Sequence, residues 1–414
     1  MSKLEIKAYN YHPDFSNESL IKKGVDILRE IKFKTIDGFE YFGFHELALN
    51  FGQNNTNELN NFAKNIIYNN CKNIVIFCDT RTKNNFQSAH NFVLKNDVLV
   101  DKKIQFFFIC DDEPFQNWFN IFEYLKVDID FSVTSLILSK MNKFSNKFIE
   151  FIKIFYNFVQ QNYGYYNTLN KSFFVGREIA EKSIKFLDIE ENNILITPDI
   201  LHHRFAFFNE INLLLMLIKG ININEVLQGY TTATLDFVSE NIKNNYAFQY
   251  AYMCSVLKKE RKHNLLIGSS PEFSEIFGLY SRMSNEKDLK SEKWTNSIIF
   301  PNDIYTYSPY TLGMASTYFA TFFKFEKFKN DYRISPELSF NDGVPKLEQN
   351  RLSQFTKISN LGIATTLSEV INVPTIEIKL IENNESVLGM LICFLYWAIV
   401  FEAYLNKQNP FELN

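Results

Sequence analysis

Short apolar runs and amphipathic stretches alternate along the first half of the chain. The apolar runs predict buried strands, and the stretches between them, with apolar residues at helical spacing, predict helices. The predicted strands are KNIVIF (72–77), DKKIQFFFIC (101–110), FSVTSLIL (131–138), SFFVG (172–176) and NILIT (193–197). The predicted helices lie within 16–33 (with Ser16 or Asn17 near the start), 57–70, 113–125, 146–164 and 179–186.

The second half repeats this pattern. Helices are predicted at 208–219, 222–242 and 245–259, and strands at NLLIGSS (264–270), TFFKFE (321–326) and TIEIKLI (375–381). Strands that alternate with helices are typical of parallel sheets covered by helices on both faces. The sequence therefore predicts an α/β fold of three-layer αβα domains.

The length of 414 residues favours two domains, because single cores of this size are uncommon. We expect an N-terminal helical segment at 1–50, a first domain at 51–198, a second domain at 199–386 and a C-terminal helix with a short tail at 387–414. The polar stretch at 342–353 is predicted to be a long surface loop.

The most apolar stretch is VLGMLICFLYWAIVF, from Val387 to Phe401, and Glu402 ends it after 15 residues. A helix that crosses a bilayer needs about 20 such residues. The stretch therefore predicts a buried core helix, without membrane insertion.

Composition and charge narrow the function. With 46% hydrophobic and 22% charged residues, a net charge of −4 and no basic block, the chain is predicted to be globular and not to bind nucleic acid. Its five scattered cysteines lack metal-site spacing and indicate buried thiols in a reducing cytoplasm. The N-terminus lacks the apolar run of a signal peptide, which also favours the cytoplasm. The 43 phenylalanines and 21 tyrosines exceed what two cores need, and we expect an aromatic-rich surface that contacts other subunits.

The turn after the strand at 72–77 is a candidate ligand site, because parallel folds bind phosphates where a strand leads into a helix. Such loops usually contain glycine, which lets backbone N–H groups approach the ligand. The turn from Cys78 to Asn85 has none, and Asp79 adds a negative charge. His202 and His203 are a candidate metal pair, but adjacent residues point in different directions and the sequence shows no further ligand cluster. No metal and no cofactor are predicted.

Several stretches, in order, resemble the bacterial form of glucose-6-phosphate isomerase (phosphoglucose isomerase). They are IKGININEVLQGYTTATLDF (218–237), NNYAFQYAYMCSVL (244–257), IIFPNDIYTYSPYTLGM (298–314) and EAYLNKQNPF (402–411). The resemblance covers nearly the whole chain. It implies two sugar-isomerase (SIS) domains with a C-terminal helix, a homodimer, and sugar-phosphate chemistry through an enediol.

The motifs that would bind substrate depart from the family pattern. The G-I-G-G-S loop of the family corresponds to Cys78–Thr82, and its S-K-S-G-T-T-T phosphate cradle corresponds to Ser139–Ser145, where Ser139 and Lys140 survive as remnants. In the cradle, Met141 and Phe144 replace hydrogen-bond donors with apolar side chains. Arg204 matches the arginine that the family uses to stabilise the enediolate, but the glycines before it are now histidines.

The catalytic groups that the resemblance implies are also replaced. The position of the base is Lys290, although the next glutamate of that motif survives as Glu292. Thr311 stands where the ring-opening histidine is expected, and the chain ends before the final lysine of the family. Because these groups are replaced or missing, we expect no intact catalytic unit. General acid and base groups each contribute about 10²–10⁴-fold to the rate.

Three interpretations remain open. The first is a pseudoenzyme that keeps the fold as a structural or interaction subunit. The second is a divergent but active isomerase, in which Glu292, Arg204 and Lys140 converge on one cleft. The third is a sensor that binds a sugar phosphate at Ser139 and Lys140, or near Arg81, without turnover.

Overall fold

Two five-stranded sheets organise the chain. The computed structural model describes residues 4–54, 56–68, 70–94, 104–289, 292–328, 331–334 and 351–412. These residues form two compact units. Unit 1 comprises Met1–Phe39 and Gly229–Asn414, and unit 2 comprises Glu40–Gln228.

The strands and helices follow each other in an α/β order. The strands are β1 Leu4–Tyr9, β2 Asn73–Cys78, β3 Gln105–Cys110, β4 Thr134–Lys140, β5 Ser172–Gly176, β6 Ile194–Ile196, β7 His263–Gly268, β8 Trp294–Ile299, β9 Tyr318–Phe325 and β10 Thr375–Leu380. The helices are α1 Glu18–Lys32, α2 Gly43–Asn54, α3 Thr56–Ile67, α4 Thr80–Leu94, α5 Phe115–Asp128, α6 Asn146–Tyr163, α7 Tyr165–Asn170, α8 Glu178–Ser183, α9 Glu210–Ile218, α10 Ile223–Phe237, α11 Tyr246–Glu260, α12 Ser274–Lys287, α13 Ile304–Gly313, α14 Leu352–Thr365 and α15 Glu385–Leu405.

The sheet of unit 2 is parallel, in the order β3-β2-β4-β5-β6. Every residue of β2 is buried, as expected for a central parallel strand covered on both faces. One side of this sheet carries an aromatic core, in which the rings of Phe77 and Phe155 meet edge to face at 5.1 Å. The predicted α/β class is confirmed here.

The sheet of unit 1 is mixed, in the order β1-β10-β9-β7-β8. Four of its strands are parallel, but β1 pairs antiparallel with β10, with Leu4 opposite Leu380. The expectation of a parallel sheet is therefore wrong at this edge. Alternation of apolar and polar residues in LEIKAY suits such an edge strand, whose solvent-facing side chains stay exposed.

The apolar helix near the C-terminus is buried, as predicted. Among the described residues, α15 is the one helix that is long and apolar enough to cross a membrane. Of its most apolar stretch, 94% is buried inside the protein. Asn384 caps its start by accepting a bond from the Val387 N–H at 2.9 Å. Gly229 in α10 lies against the backbone of Ser386, where any side chain would clash.

The boundaries of the two units do not coincide with the predicted domain boundaries at residues 50, 198 and 386. Helix α9 packs against α3 and α4 and so belongs to unit 2, while α15 packs against α11 inside unit 1. Most of the loop predicted at 342–353, up to residue 350, lies outside the described residues. Helix α14 begins at Leu352, within the predicted loop.

Candidate functional site

The carboxyl ends of β2, β3 and β4 in unit 2 border a cavity of about 320 Å³. This is the edge of a parallel sheet where ligands usually bind. Its lining includes Asp79, Arg81, Asn85, Asp112 and Lys140, so the predicted strand-to-helix turn and the predicted phosphate cradle both reach it.

The turn after β2 is fixed by internal hydrogen bonds. Asp79 accepts a bond from the Thr82 N–H at 2.8 Å and thereby caps the start of α4. The backbone N–H and the hydroxyl of Thr80 donate to Asp112 at 2.8 and 2.7 Å. A carboxylate of the protein therefore holds the Thr80 donors of this turn.

The cradle after β4 is occupied in the same way. The ammonium group of Lys140 forms an ion pair with Asp111. The Ser145 backbone N–H donates to Asp111 Oδ2 at 2.9 Å, and its hydroxyl donates to Asp111 Oδ1. The Asp111 side chain is only 3% exposed. Its carboxylate thus receives an ammonium, a backbone N–H and a hydroxyl, the kinds of donor that bind a phosphate.

A third carboxylate completes this arrangement. Glu113 pairs with Lys83 at 2.9 Å. Burial lowers the pKa of Lys83, but its hydrogen bond to Glu113 and the charge of that carboxylate hold the pKa above its ordinary value. The run Asp111–Glu113 therefore supplies two partners to the segment after β2 and one partner to the cradle after β4. Sequence reasoning missed these residues, although three acids directly after a predicted strand were the available signal.

Cys78 and Cys110 are paired neighbours at the ends of β2 and β3, with their sulfur atoms 3.9 Å apart. Burial raises the pKa of the Cys78 thiol well above its ordinary value. All five cysteines are buried free thiols, as predicted.

The two apolar replacements in the cradle have different environments. Met141 lines the cavity, whereas Phe144 is 1% exposed and stacks with Phe148 in the core at 5.8 Å. Ser139, the first cradle residue, is 2% exposed. Of the two predicted remnants, it is therefore Lys140 that lines the cavity.

Arg204 lies in a short 3₁₀ turn, His203–Phe205, and its side chain is buried. Its backbone N–H donates to Nδ1 of His202 at 3.3 Å. His203 lines the cavity. The described residues contain no group of three or more His, Cys, Asp or Glu side chains that could hold a metal ion.

Glu210 begins α9, next to Asn209, which lines the cavity. Glu210 is buried, and this burial raises its pKa to about 7. A hydrogen bond from Thr197 and the charge of Arg177 lower the pKa, and the charge of Glu58 raises it.

The predicted catalytic positions lie in unit 1. Glu292 is exposed and forms a surface ion pair with Lys262. Thr311 is buried in α13, where its hydroxyl donates to the Ser308 carbonyl at 2.9 Å. Lys290 lies outside the described residues.

Known proteins with similar sequences are isomerases. No family model matches the chain. It is 23% identical over 404 residues to the glucose-6-phosphate isomerase of Mycoplasmopsis pulmonis. The aligned residues cover 96% of this chain and 93% of that protein. It is 26% identical over 291 residues to the enzyme of the same name from Lactococcus lactis, covering 69% of this chain and 63% of that protein.

Two solved structures have a similar fold. A glucose-6-phosphate isomerase from Chlamydia trachomatis superposes with a TM-score of 0.76 at 12% identity, covering 100% of this chain and 86% of that one. Protein TT0462 from Thermus thermophilus gives a TM-score of 0.79 at 14% identity, covering 99% and 96%. The fold is that of the two-domain SIS proteins, with a C-terminal helix. In sequence the chain is similar to glucose-6-phosphate isomerases, and its fold is the one that the Chlamydia trachomatis enzyme has.

Proposed function

We propose that this protein is a glucose-6-phosphate isomerase-like pseudoenzyme that lacks isomerase activity and serves as an interaction subunit. The observation that carries the proposal is the carboxylate of Asp111, which is bound to Lys140 and Ser145 in the phosphate cradle. The relatives named above are isomerases, and their substrate needs a cradle open to a phosphate.

A phosphate group would have to displace Asp111 from both partners. Removing one partner from a buried ion pair costs about 3–5 kcal/mol, because the remaining charge is left uncompensated. At 25 °C that corresponds to about 10²–10⁴-fold in affinity. Asp112 adds a further negative charge at the same cavity.

The positions that correspond to the catalytic groups support the same conclusion. The hydroxyl of Thr311 is engaged within its own helix, and a threonine has no group that exchanges a proton near neutral pH. Glu292 is 80% exposed and paired with Lys262. A base must be held within hydrogen-bond reach of its proton, and a freely hydrated surface carboxylate is not held in this way.

The test is a coupled isomerase assay with fructose 6-phosphate at millimolar concentration. The protein is purified from a host that lacks its own isomerase, and Glu292→Ala serves as the matched variant. We expect no turnover above background for either protein. Turnover by the wild type that is lost in Glu292→Ala would overturn the proposal and show that Glu292 has become the base.

The interaction role is supported by an apolar surface on unit 1. Helices α13 and α14 line a groove of about 310 Å³, and the same two helices carry large apolar side chains that are exposed. They include Tyr305 (93%), Tyr310 (57%), Ile358 (67%) and Leu361 (66%). Exposed apolar patches of this kind mark interaction sites. We propose that a second copy of the chain binds here. We also propose that the protein is located in the cytoplasm, whose reducing conditions keep cysteines as free thiols.

The double variant Tyr305→Glu/Ile358→Glu is expected to convert a dimer into a monomer, because it places two charges in an apolar interface. Light scattering after size exclusion, over a range of protein concentrations, measures the mass. Tyr68→Glu is the control, since Tyr68 is 73% exposed on unit 2. A monomeric wild type, or a double variant that stays dimeric, would contradict the homodimer.

A further inference from the structure

Strand β3 forms one edge of the sheet of unit 2. We propose that an extended, uncharged segment of a partner protein binds along this edge and adds a further strand to the sheet. This surface differs from the groove of α13 and α14, and its occupant is a different protein. Three features lead to this partner: open backbone groups on β3, protection of the other sheet edges and aromatic side chains beside β3.

Alternate backbone groups of β3 face away from the sheet. The Gln105 N–H donates at 2.8 Å to the carbonyl of the residue before β2, and the pairing with β2 continues in register to Cys110. Phe106 and Phe108 therefore direct their N–H and C=O groups to the outer side. Within the described part of the chain, these groups have no hydrogen-bond partner. At the end of the strand, the Cys110 carbonyl accepts a bond from the Trp118 indole at 2.6 Å. An open row of backbone groups is a template for another extended strand.

The other sheet edges are protected, each in a different way. At the edge strand β8, Asn285 accepts a bond from the Thr295 N–H at 2.8 Å and donates to the Thr295 carbonyl at 3.0 Å, as a neighbouring strand would. Asp303 accepts a bond from the Ile299 N–H of the same strand at 2.7 Å. The edge strand β6 has only three residues, and β1 carries two charged side chains. Short length and charge both discourage strand addition, but β3 is six residues long with the uncharged sequence QFFFIC.

Aromatic side chains lie beside the open edge on both faces of the sheet. On one face, the rings of Phe106 and Phe108 lie 5.3 and 5.7 Å from the ring of Phe86 in α4. On the other face, the ring of Phe107 lies 6.0 Å from that of Tyr124 in α5, and Tyr124 is 46% exposed. A strand added to β3 would place its side chains alternately against these two groups of rings. Such cross-strand contacts favour aromatic and β-branched residues.

The charge beside this edge disfavours a basic partner. The ammonium group of Lys219 lies 4.9 Å from the centre of the Phe106 ring. A lysine or arginine of the partner opposite Phe106 would meet this like charge, which destabilises a cross-strand pair. Because β3 itself has no charged residue to bind an acidic or basic side chain, the segment that fits is apolar, uncharged and extended.

The test is fluorescence anisotropy of a labelled peptide titrated with the full chain. The peptide alternates threonine and valine and carries a neutral polyethylene glycol tail for solubility. The matched probe is the same peptide with N-methyl groups on its central residues, which keep the side chains but remove the backbone donors. Hydrogen exchange measured by mass spectrometry reports whether bound peptide protects the amides of β3.

Three variants at one position separate the backbone from the side chain. Phe106→Pro removes an outward N–H, and proline is tolerated on an edge strand where the N–H does not bond to the sheet. Phe106→Lys keeps the N–H and places a charge on the edge. Phe106→Leu is the matched control, because it loses the ring but keeps the N–H and an apolar side chain. Circular dichroism and thermal unfolding establish that each variant is folded, and Phe106→Lys decides the test where Phe106→Pro does not fold.

We expect the unmethylated peptide to bind the wild type and Phe106→Leu and to slow exchange in β3. Binding should be at least about tenfold weaker for Phe106→Pro, for Phe106→Lys and for the N-methylated peptide, since the loss of one hydrogen bond corresponds to about tenfold in affinity. No binding at millimolar concentration, or equal binding by the edge variants, would overturn this inference and leave the proposed function standing. Self-association of the wild type that Phe106→Pro abolishes would also overturn it, because β3 would then bind a second copy of the chain.

Discussion

Glu402→Gln is expected to lower the free energy of unfolding of unit 1 by about 3–5 kcal/mol. Glu402 ends the apolar part of α15 and lies in a buried cluster of four charges. Lys258 reaches Asp288 at 2.9 Å and Glu402 at 2.8 Å, and Lys287 reaches the same carboxylates at 2.6 and 3.3 Å. All four side chains are at most 3% exposed.

The size of the effect follows from burial. Burial lowers the pKa of Lys258, yet the carboxylates of Glu402 and Asp288 hold it above its ordinary value, so the lysine is charged. In Glu402→Gln, two buried ammonium groups share the one carboxylate of Asp288. The uncompensated positive charge destabilises the contacts among α11, α12 and α15.

Because the chain has two units, unfolding need not be a single transition. Hydrogen exchange of α15 amides in increasing urea reports on unit 1 directly. Glu412→Gln is the control, since Glu412 is exposed and is expected to change stability by no more than about 0.5 kcal/mol. A loss below about 1 kcal/mol for Glu402→Gln would show that the cluster is not what fixes α15.

Glu210→Gln is expected to stabilise unit 2 at pH 8 by about 3 kcal/mol, with a much smaller effect at pH 5. Burial raises the pKa of Glu210 from 4.5 to about 7 in the folded protein. The folded state therefore binds this proton more tightly than the unfolded chain. The resulting stability is present below the unfolded pKa and is lost as pH rises through about 7, at about 1.4 kcal/mol per unit of difference.

Glutamine keeps the size and hydrogen bonds of a neutral carboxyl group but does not ionise. Hydrogen exchange of α9 at pH values from 5 to 8, corrected for the intrinsic exchange rate, measures the difference. Glu46→Gln is the control, because Glu46 is exposed on α2. An unchanged pH slope in Glu210→Gln would mean that Glu210 is ionised in the folded protein at neutral pH.

Local patterns made part of the fold predictable. The buried run of β2, the cap of α1 at Asn17 and the apolar stretch of α15 each carry their signal within a few residues. Strand β1 carries a weaker signal, since its pairing with β10 depends on residues more than 360 positions away.

The site was less predictable for the same reason. Met141 lines the cavity, but the larger change in the cradle is the ion pair between Asp111 and Lys140. Asp111 follows β3 and Lys140 is the last residue of β4, and β2 lies between these strands in the sheet. Their contact depends on strand order, which the sequence does not contain. Read along the chain alone, Asp111–Glu113 resembles an ordinary solvated loop.

The pairing of β1 with β10 has a consequence for synthesis. Residues 40–228 form a contiguous unit, which can fold as soon as it leaves the ribosome. Strand β1 emerges earlier, but its partner β10 is translated about 370 residues later, roughly 20–70 s at 5–20 residues per second. During that interval the backbone groups of β1 have no native partner, and chaperones that bind extended segments have their longest opportunity to act on the first residues of the chain.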